Sequence, residues 1–317
     1  GLGRLLSLCI SSLRLIPILL QYKHGIVHFY LPRSYLIGGL LAKLCRNEKL
    51  LMSRRSLNDY QSNWKWCADI ERSLHPGMSL ILANSNAVGQ QLLETEAVEP
   101  SKLRVIYNGV DLSKYHQQPT KQVLRKKYAI TSHSFVFICV ANLHYYKGHA
   151  DILNAFFFFL DRLPDAWTCL FVGRDVGEQN ALVQQSQQLG LSEHLQFLGE
   201  RDEVAELQML SDIGILASHQ EGFANSIIEG MAAGLPMVVT DVGGNAEAVE
   251  NGRCGIVVPA HDPKALAMAI LSLVNDTSKM IAMGKASHEH AVANFSLRSC
   301  VQNYQSLYLE MAQLQRH

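Results

Sequence analysis

The chain reads as an α/β protein made of two doubly wound parallel-sheet units in tandem. Three observations predict this. Its 317 residues exceed one typical core and suit two domains. Short apolar runs alternate with helical segments, which implies parallel strands. A polar stretch near the middle interrupts the alternation, which then begins again. Hydrophobic residues make up 48% and charged residues 18%, a globular composition that excludes broad disorder.

The first series opens with an apolar stretch over residues 4–20. Arg4, Ser7, Ser11 and Arg14 recur there at steps of three and four and so share one stripe of a helix. An amphipathic helix packed on a sheet is expected, with a basic helix on a membrane surface as the alternative. Gly25–Tyr30 reads as a short strand ended by Pro32, and a helix with Gly38, Gly39 and Ala42 follows. Lys49–Met52 is the next strand, leading into Ser53-Arg-Arg-Ser56 and a polar loop or helix with Trp64 and Trp66. Ser79–Ala83 is a strand, Asn84-Ser-Asn86 caps a helix, and Leu103–Ile106 is a strand closed by Tyr107-Asn-Gly-Val-Asp111.

Residues 112–132, with Gln117, Gln118 and Pro119, read as the connector. The second series has strands at Ser134–Val140, Ala166–Val172, Leu195–Leu198, Ile213–Leu216, Pro236–Thr240 and Gly255–Val258. The last helix carries Leu297, Val301, Tyr304, Tyr308 and Met311 on one face. The expected domains are residues 1–115, a linker at 116–132, a second unit at 133–296, and a C-terminal helix at 297–317 packing back toward the first unit.

Charge is uneven although the total is zero. Residues 1–120 hold 14 Lys and Arg against 8 Asp and Glu, and residues 121–317 hold 14 against 20. The basic first part suits an anionic surface or acceptor. The seven cysteines are widely spaced, which excludes a CxxC pair or a thiolate zinc cluster and favours buried free thiols.

The segment richest in chemistry is Ser218-His-Gln-Glu-Gly-Phe-Ala-Asn-Ser-Ile-Ile-Glu-Gly-Met-Ala-Ala-Gly-Leu-Pro236. It follows a strand, turns at a glycine and enters a helix, with Asn225 or Ser226 as the expected N-cap and Gly234 and Pro236 as stops. A helix N-terminus offers N–H groups to a phosphate, and Gly222 permits close approach of the backbone. Glu221 and Glu229 frame the turn, and Glu229 shares a face with Asn225. Carboxylates suit the paired hydroxyls of a ribose or hexose. Ordinary surface acids on a strand–turn–helix remain the competing reading.

The spacing Glu221-x7-Glu229, with Gly222-Phe223 after the first Glu and Gly-Leu-Pro236 after the helix, resembles the signature of glycosyltransferase family 4. Ala83-Asn-Ser85, Val105–Asp111, Val140–Gly148, Phe197–Asp202 and Thr240–Glu247 resemble other family segments in the family's order, over roughly residues 26–310. The resemblance implies a GT-B fold of two facing Rossmann-like domains. It also implies a retaining enzyme that takes a nucleoside-diphosphate sugar as co-substrate and needs no metal or other cofactor. Glu221 would then contact the donor sugar, with the backbone of Gly222, Phe223 and Ala224. Asn225 and Ser226 would sit by the diphosphate, Glu229 would hold the ribose and Lys147 would neutralise the diphosphate.

The match departs from the family in three places. Asn142 stands where an arginine is frequent, with His144 or Arg174 as substitute cations. Ser53-Arg54-Arg55-Ser56 replaces a histidine-bearing loop. No strand, glycine-rich loop and helix precede residues 4–20, so the first βαβ unit is expected to be missing. Arg54, Arg55 and His28 are the acceptor-side candidates, with a structural role competing for each. The expected activity is hexosyl transfer to a hydroxyl of a glycan or lipid-linked glycan, with peripheral membrane contact through the basic first part. The expected setting is the cytoplasm, with no nucleic acid as partner. The alternatives are an inactive or fragmentary nucleotide-sugar-binding module and a nucleotide-sugar epimerase. The Glu221–Glu229 block favours transfer over epimerisation.

Overall fold

The structure, a computed structural model, describes residues 2–62, 65–116 and 119–313, and their side chains except those of residues 2–11, 62 and 65. The side chains of Arg4, Ser7, Cys9 and Ser11, and Trp64, Gln117 and Gln118, lie outside the described residues. The chain divides into two units, Gly1–Tyr107 with Cys300–His317, and Asn108–Ser299.

The first unit is a 4-stranded parallel sheet of β1 (Ile26–Tyr30), β2 (Lys49–Arg54), β3 (Leu80–Ala83) and β4 (Leu103–Val105), in that spatial order. The strands advance in one direction, so right-handed crossovers put the connecting helices on one face. The side chains sort with a period of two. Leu50, Met52, Ile81 and Ala83 meet Tyr35, Ala42, Leu74, Val88 and Leu92 from those helices. Leu51, Leu80 and Leu82 point the other way, onto Leu307 and Met311.

That opposite face is covered by the C-terminal helix Leu297–Gln313. Its buried stripe runs through Cys300, Tyr304, Leu307, Tyr308 and Met311, whereas Leu297 and Val301 are exposed. The expected face therefore holds at Tyr304, Tyr308 and Met311 and fails at Leu297 and Val301. The helix meets the sheet from Cys300 onward, and Val301 stands about 100° away from Cys300.

The N-terminal helix Leu2–Gln21 is anchored through Leu19, which is buried, and Leu15, both packed with Phe29, Tyr35 and Leu50. Leu13, Arg14, Ile18 and Leu20 are exposed. Among the described residues no single helix is long and apolar enough to cross a membrane.

A buried polar network crosses the first unit at the end of β2. The Arg54 guanidinium is 3% exposed and donates to Glu71 and Glu96, both at 2.8 Å. Tyr60 and Gln61 donate to Glu71, and His75 bridges Glu96 and the Tyr35 hydroxyl, each at 2.9 Å. Nearby carboxylates hold the Arg54 cation above its ordinary range against the cost of burial, and Glu96 is held below its own by His75 and Arg54.

The second unit is a 6-stranded parallel sheet of β5 (Phe135–Val140), β6 (Trp167–Val172), β7 (Leu195–Gly199), β8 (Ile213–Leu216), β9 (Met237–Thr240) and β10 (Gly255–Val258). The spatial order is β10-β9-β8-β5-β6-β7. Read from β7, this is the Rossmann order 3-2-1-4-5-6, with its switch point between β5 and β8. The central strands are apolar on both faces, as parallel strands under two helix layers must be. Among the described residues Cys45, Cys67, Cys139, Cys169 and Cys254 are free thiols.

Replacing Arg54 by Met should cost the first unit about 3–5 kcal/mol, because Glu71 and Glu96 would keep their burial and lose their cation. Arg55→Ala, at an exposed position, should change stability by less than about 0.5 kcal/mol. Chemical denaturation of both variants checks the contrast, and equal losses would contradict the network.

Candidate functional site

The switch point between β5 and β8 is where an open parallel sheet offers a crevice at its C-terminal strand ends. There the loop 141–148 after β5 and the loop 217–224 after β8 lie backbone to backbone. Gly148 adopts φ 69°, and a Cβ on it would stand 1.9 Å from the Ala217 carbonyl oxygen. The His219 N–H donates to the Tyr146 carbonyl at 2.7 Å. Only glycine combines this left-handed conformation with such an approach.

This contact brings Lys147 and Glu221 together. Lys147 Nζ donates to Glu221 Oε1 at 2.5 Å, with side-chain exposures of 19% and 10%. The same oxygen accepts from Ser218 Oγ at 2.8 Å. Thr240 Oγ1 donates to the Ser218 carbonyl at 2.5 Å, and Asn245 Nδ2 donates to the Thr240 carbonyl at 3.2 Å. Ser218, Thr240 and Asn245 are all buried. The support thus runs inward from Glu221 through the end of β8 to the end of β9. A third loop closes on it: Gly244 N–H donates to the Gly222 carbonyl at 2.9 Å. Gly243 has φ 52°, and a Cβ there would stand 1.9 Å from the Glu221 carbonyl oxygen.

The helix following the turn is Asn225–Ala232. Its N-cap is Ala224, which offers no side-chain acceptor, so the expected capping by Asn225 or Ser226 does not occur. Asn225 is already the first helical residue, and its Oδ1 accepts from Asn108 Nδ2 at 2.7 Å. A helix start without a capping side chain leaves donors for an external anion. The Ser226 carbonyl accepts from buried Gln208 at 3.5 Å. Gly234, at φ 81°, ends the helix, with Leu235 N–H returning to the Gly230 carbonyl at 3.0 Å.

Phe223 and Ala224 are buried, and the Phe223 ring packs 5.5 Å from that of Phe295. Glu229 lies one turn into the helix. Burial raises its carboxyl above the ordinary range, partly opposed by Lys114. Tyr115 stands in the same electrostatic neighbourhood and donates to Gln208 at 3.0 Å. On the β5 side, exposed Asn142 accepts from the Arg174 N–H at 3.0 Å, and His144 packs against Tyr146 with ring centroids 4.2 Å apart. Burial pushes the Cys139 thiol below them up to about 12, which keeps it protonated and inert.

Lys147, Glu221, Gly222, Phe223, Ala224, Asn225, Ser226, Glu229, Asn142 and His144 therefore all fall on loops or a helix start of the second unit. The other three candidates belong to the first unit. Arg54 is committed to Glu71 and Glu96. Arg55 is exposed. Both His28 ring nitrogens are bonded, Nδ1 to the Tyr308 hydroxyl at 2.8 Å and Nε2 to Ser53 Oγ at 2.7 Å. Burial lowers the His28 imidazole to about 4, so it is neutral at pH 7.

The sequence reading missed Ser218, Thr240, Asn245, Asn108 and Gln208. Ser218 lies three residues before Glu221, and a small polar residue ending a strand beside a carboxylate was the available signal. Asn108 had none, since its partner is 117 residues away.

Comparison with known proteins gives these features a family. Residues 120–290 match the model for glycosyl transferases group 1, and residues 2–114 that for glycosyltransferase family 4. The chain belongs to the group 1 glycosyl transferases. Among curated proteins it is 30% identical over 217 residues to the N-acetyl-alpha-D-glucosaminyl L-malate synthase of Bacillus anthracis, covering 68% of this chain and 56% of that protein. It is 28% identical over 250 residues to the D-inositol 3-phosphate glycosyltransferase of Corynebacterium jeikeium, covering 76% of this chain and 59% of that one. The chain thus spans less than two thirds of the length of these relatives. The crystal structure of HepE from Anabaena in complex with UDP superposes with a TM-score of 0.84 at 24% identity, covering 94% of this chain and 82% of that one. A glycosyltransferase from Rickettsia africae superposes at 0.81 and 24% identity, covering 96% and 81%. The fold is the GT-B-like α/β class that the sequence predicts.

Gly148→Ala should destabilise the second unit by roughly 3 kcal/mol or more, from the left-handed strain and the clash with Ala217 together. Gly190 has φ 70° but open space around its Cβ position, so Gly190→Ala should cost only about 1–2 kcal/mol. Thermal melts of the two proteins measure the difference, and similar losses would show that the loop contact is not tight.

Proposed function

We propose that the chain carries the donor site of a glycosyltransferase that moves a hexose from a nucleoside-diphosphate sugar to a hydroxyl acceptor. The observation that carries this reading is the Lys147–Glu221 pair, held at the switch point beside the uncapped start of the Asn225–Ala232 helix. The pair presents one cation and one carboxylate at a place built to receive a phosphate group.

In this reading the diphosphate lies at the helix start, over the backbone of Gly222–Ala224 and the Asn225 and Ser226 side chains. Lys147 exchanges part of its contact with Glu221 for the phosphate oxygens. Its charge and the loop amides then stabilise the nucleoside diphosphate as it leaves, without a metal ion. Glu221 is freed to accept hydroxyls of the hexose, while Ser218 keeps it in place. Glu229 accepts the ribose hydroxyls, and Asn142 and His144 flank the phosphates from the β5 loop.

Transfer proceeds with retention at the anomeric carbon, and the donor is a uridine, guanosine or adenosine diphosphate sugar. The acceptor is a glycan or lipid-linked glycan, consistent with the excess of Lys and Arg in residues 1–120. Arg55 and the exposed basic surface of the first unit would meet it there, at a cytoplasmic membrane face.

Calorimetric titration with UDP, GDP and ADP, free of added metal, should show binding of one diphosphate. Lys147→Ala should weaken it by about tenfold or more, or about 1.4 kcal/mol. Glu229→Gln should weaken binding too, yet raise the melting temperature at pH 7. The burial that raises the Glu229 carboxyl means that its charged form costs stability above the folded pKa. That cost fades as the pH falls through the raised range, so wild type and variant should converge in acid. A folded protein that binds none of the three diphosphates would overturn the assignment.

A further inference from the structure

A second group of chemically capable side chains lies just behind the Lys147–Glu221 pair, on three separate segments of the second unit. Asp151 comes from the first turn of the helix His149–Phe158, His219 from the loop after β8, and His261 from the turn after β10. His219 Nε2 is 2.8 Å from Asp151 Oδ2, and the His219 and His261 rings lie 3.8 Å apart at 35°. One ligand atom from each residue falls within 4.8 Å of the other two. His261 holds this position with φ 58°, a conformation uncommon for a residue with a side chain.

We propose that Asp151, His219 and His261 bind a divalent transition-metal ion of the zinc class. Two imidazoles and a carboxylate suit zinc, cobalt, nickel or copper, whereas magnesium and calcium prefer oxygen ligands alone. A tetrahedral zinc with bonds of about 2.0–2.1 Å sets its ligands roughly 3.3 Å apart. Asp151 and His219, now 2.8 Å apart, would separate by about 0.5 Å, and His261 would close by up to about 1.5 Å through rotation of its exposed ring. His219 would give up its hydrogen bond to Asp151, and both would become ligands. The fourth position would be left to water, as in zinc sites with three protein ligands.

The ion would not take part in transfer. It would pin the start of the 149–158 helix and the turn after β10 to the loop that carries Glu221, two residues beyond His219. A second cluster, Glu250, Cys254 and His290, is less suited. Glu250 is paired with Arg253 at 2.5 Å, His290 Nδ1 is 3.0 Å from Asn294 Nδ2, and burial raises the Cys254 thiol.

The test is titration of the tag-free chain with Zn²⁺ by calorimetry and with Co²⁺ by visible absorption, fold integrity being followed by circular dichroism. Wild type should bind one ion with a tetrahedral Co²⁺ spectrum. His261→Asn keeps a residue that tolerates the left-handed turn but removes the imidazole, and should weaken binding about tenfold or more. Asp151→Asn should do the same, and Cys254→Ser should leave binding unchanged. No binding by folded wild type, binding indifferent to His261→Asn, or binding lost in Cys254→Ser instead would each overturn the proposal.

Discussion

The second unit depends on one close contact, the backbone of Gly148 against the carbonyl of Ala217. Two loops that leave adjacent parallel strands normally diverge, because right-handed crossovers send their helices to opposite faces at the switch point. Here they are held together before they part. Gly148 supplies the missing side chain, the Tyr146 carbonyl takes the His219 N–H, and the Lys147–Glu221 pair closes the top. Each of these needs the others, since a Cβ at residue 148 would force the loops apart and separate the ion pair.

The same economy governs the charges. The half-buried cation of Lys147 is tolerated because Glu221 neutralises it, and the carboxylate is fixed because Ser218 and Lys147 share one of its oxygens. Both of these bonds fall on Oε1. The first unit handles charge in the opposite way. Arg54, Glu71, Glu96 and His75 are buried and bond one another, Arg54 through Nη2 to both carboxylates, which spends these charges on the fold.

Much of this was legible in the sequence, for identifiable reasons. Among the described residues, all ten strands stand where apolar runs alternate with helices, and their ends shift by one or two residues, as with Lys49–Arg54. The turn with Glu221, Gly222 and Glu229 was readable because its glycine, carboxylates and helix are contiguous. Other features required the third dimension. The Asn108–Asn225 bond spans 117 residues, so nothing local announced it, and it drew Asn225 away from the capping role its type suggests. Arg54 and Arg55 are neighbours with identical local signals, yet one points into a buried carboxylate pair and the other outward. The face of the last helix was legible at Tyr304, Tyr308 and Met311 but not at Leu297 and Val301, because the apolar pattern alone does not say where the helix meets the sheet.

The most direct measurement is a crystal structure of the chain with the nucleoside diphosphate that it binds. The account predicts the diphosphate at the start of the Asn225–Ala232 helix, within hydrogen-bond distance of Lys147 Nζ, and the ribose hydroxyls on Glu229. A nucleotide seated elsewhere in the second unit, with the Lys147–Glu221 pair undisturbed, would contradict it.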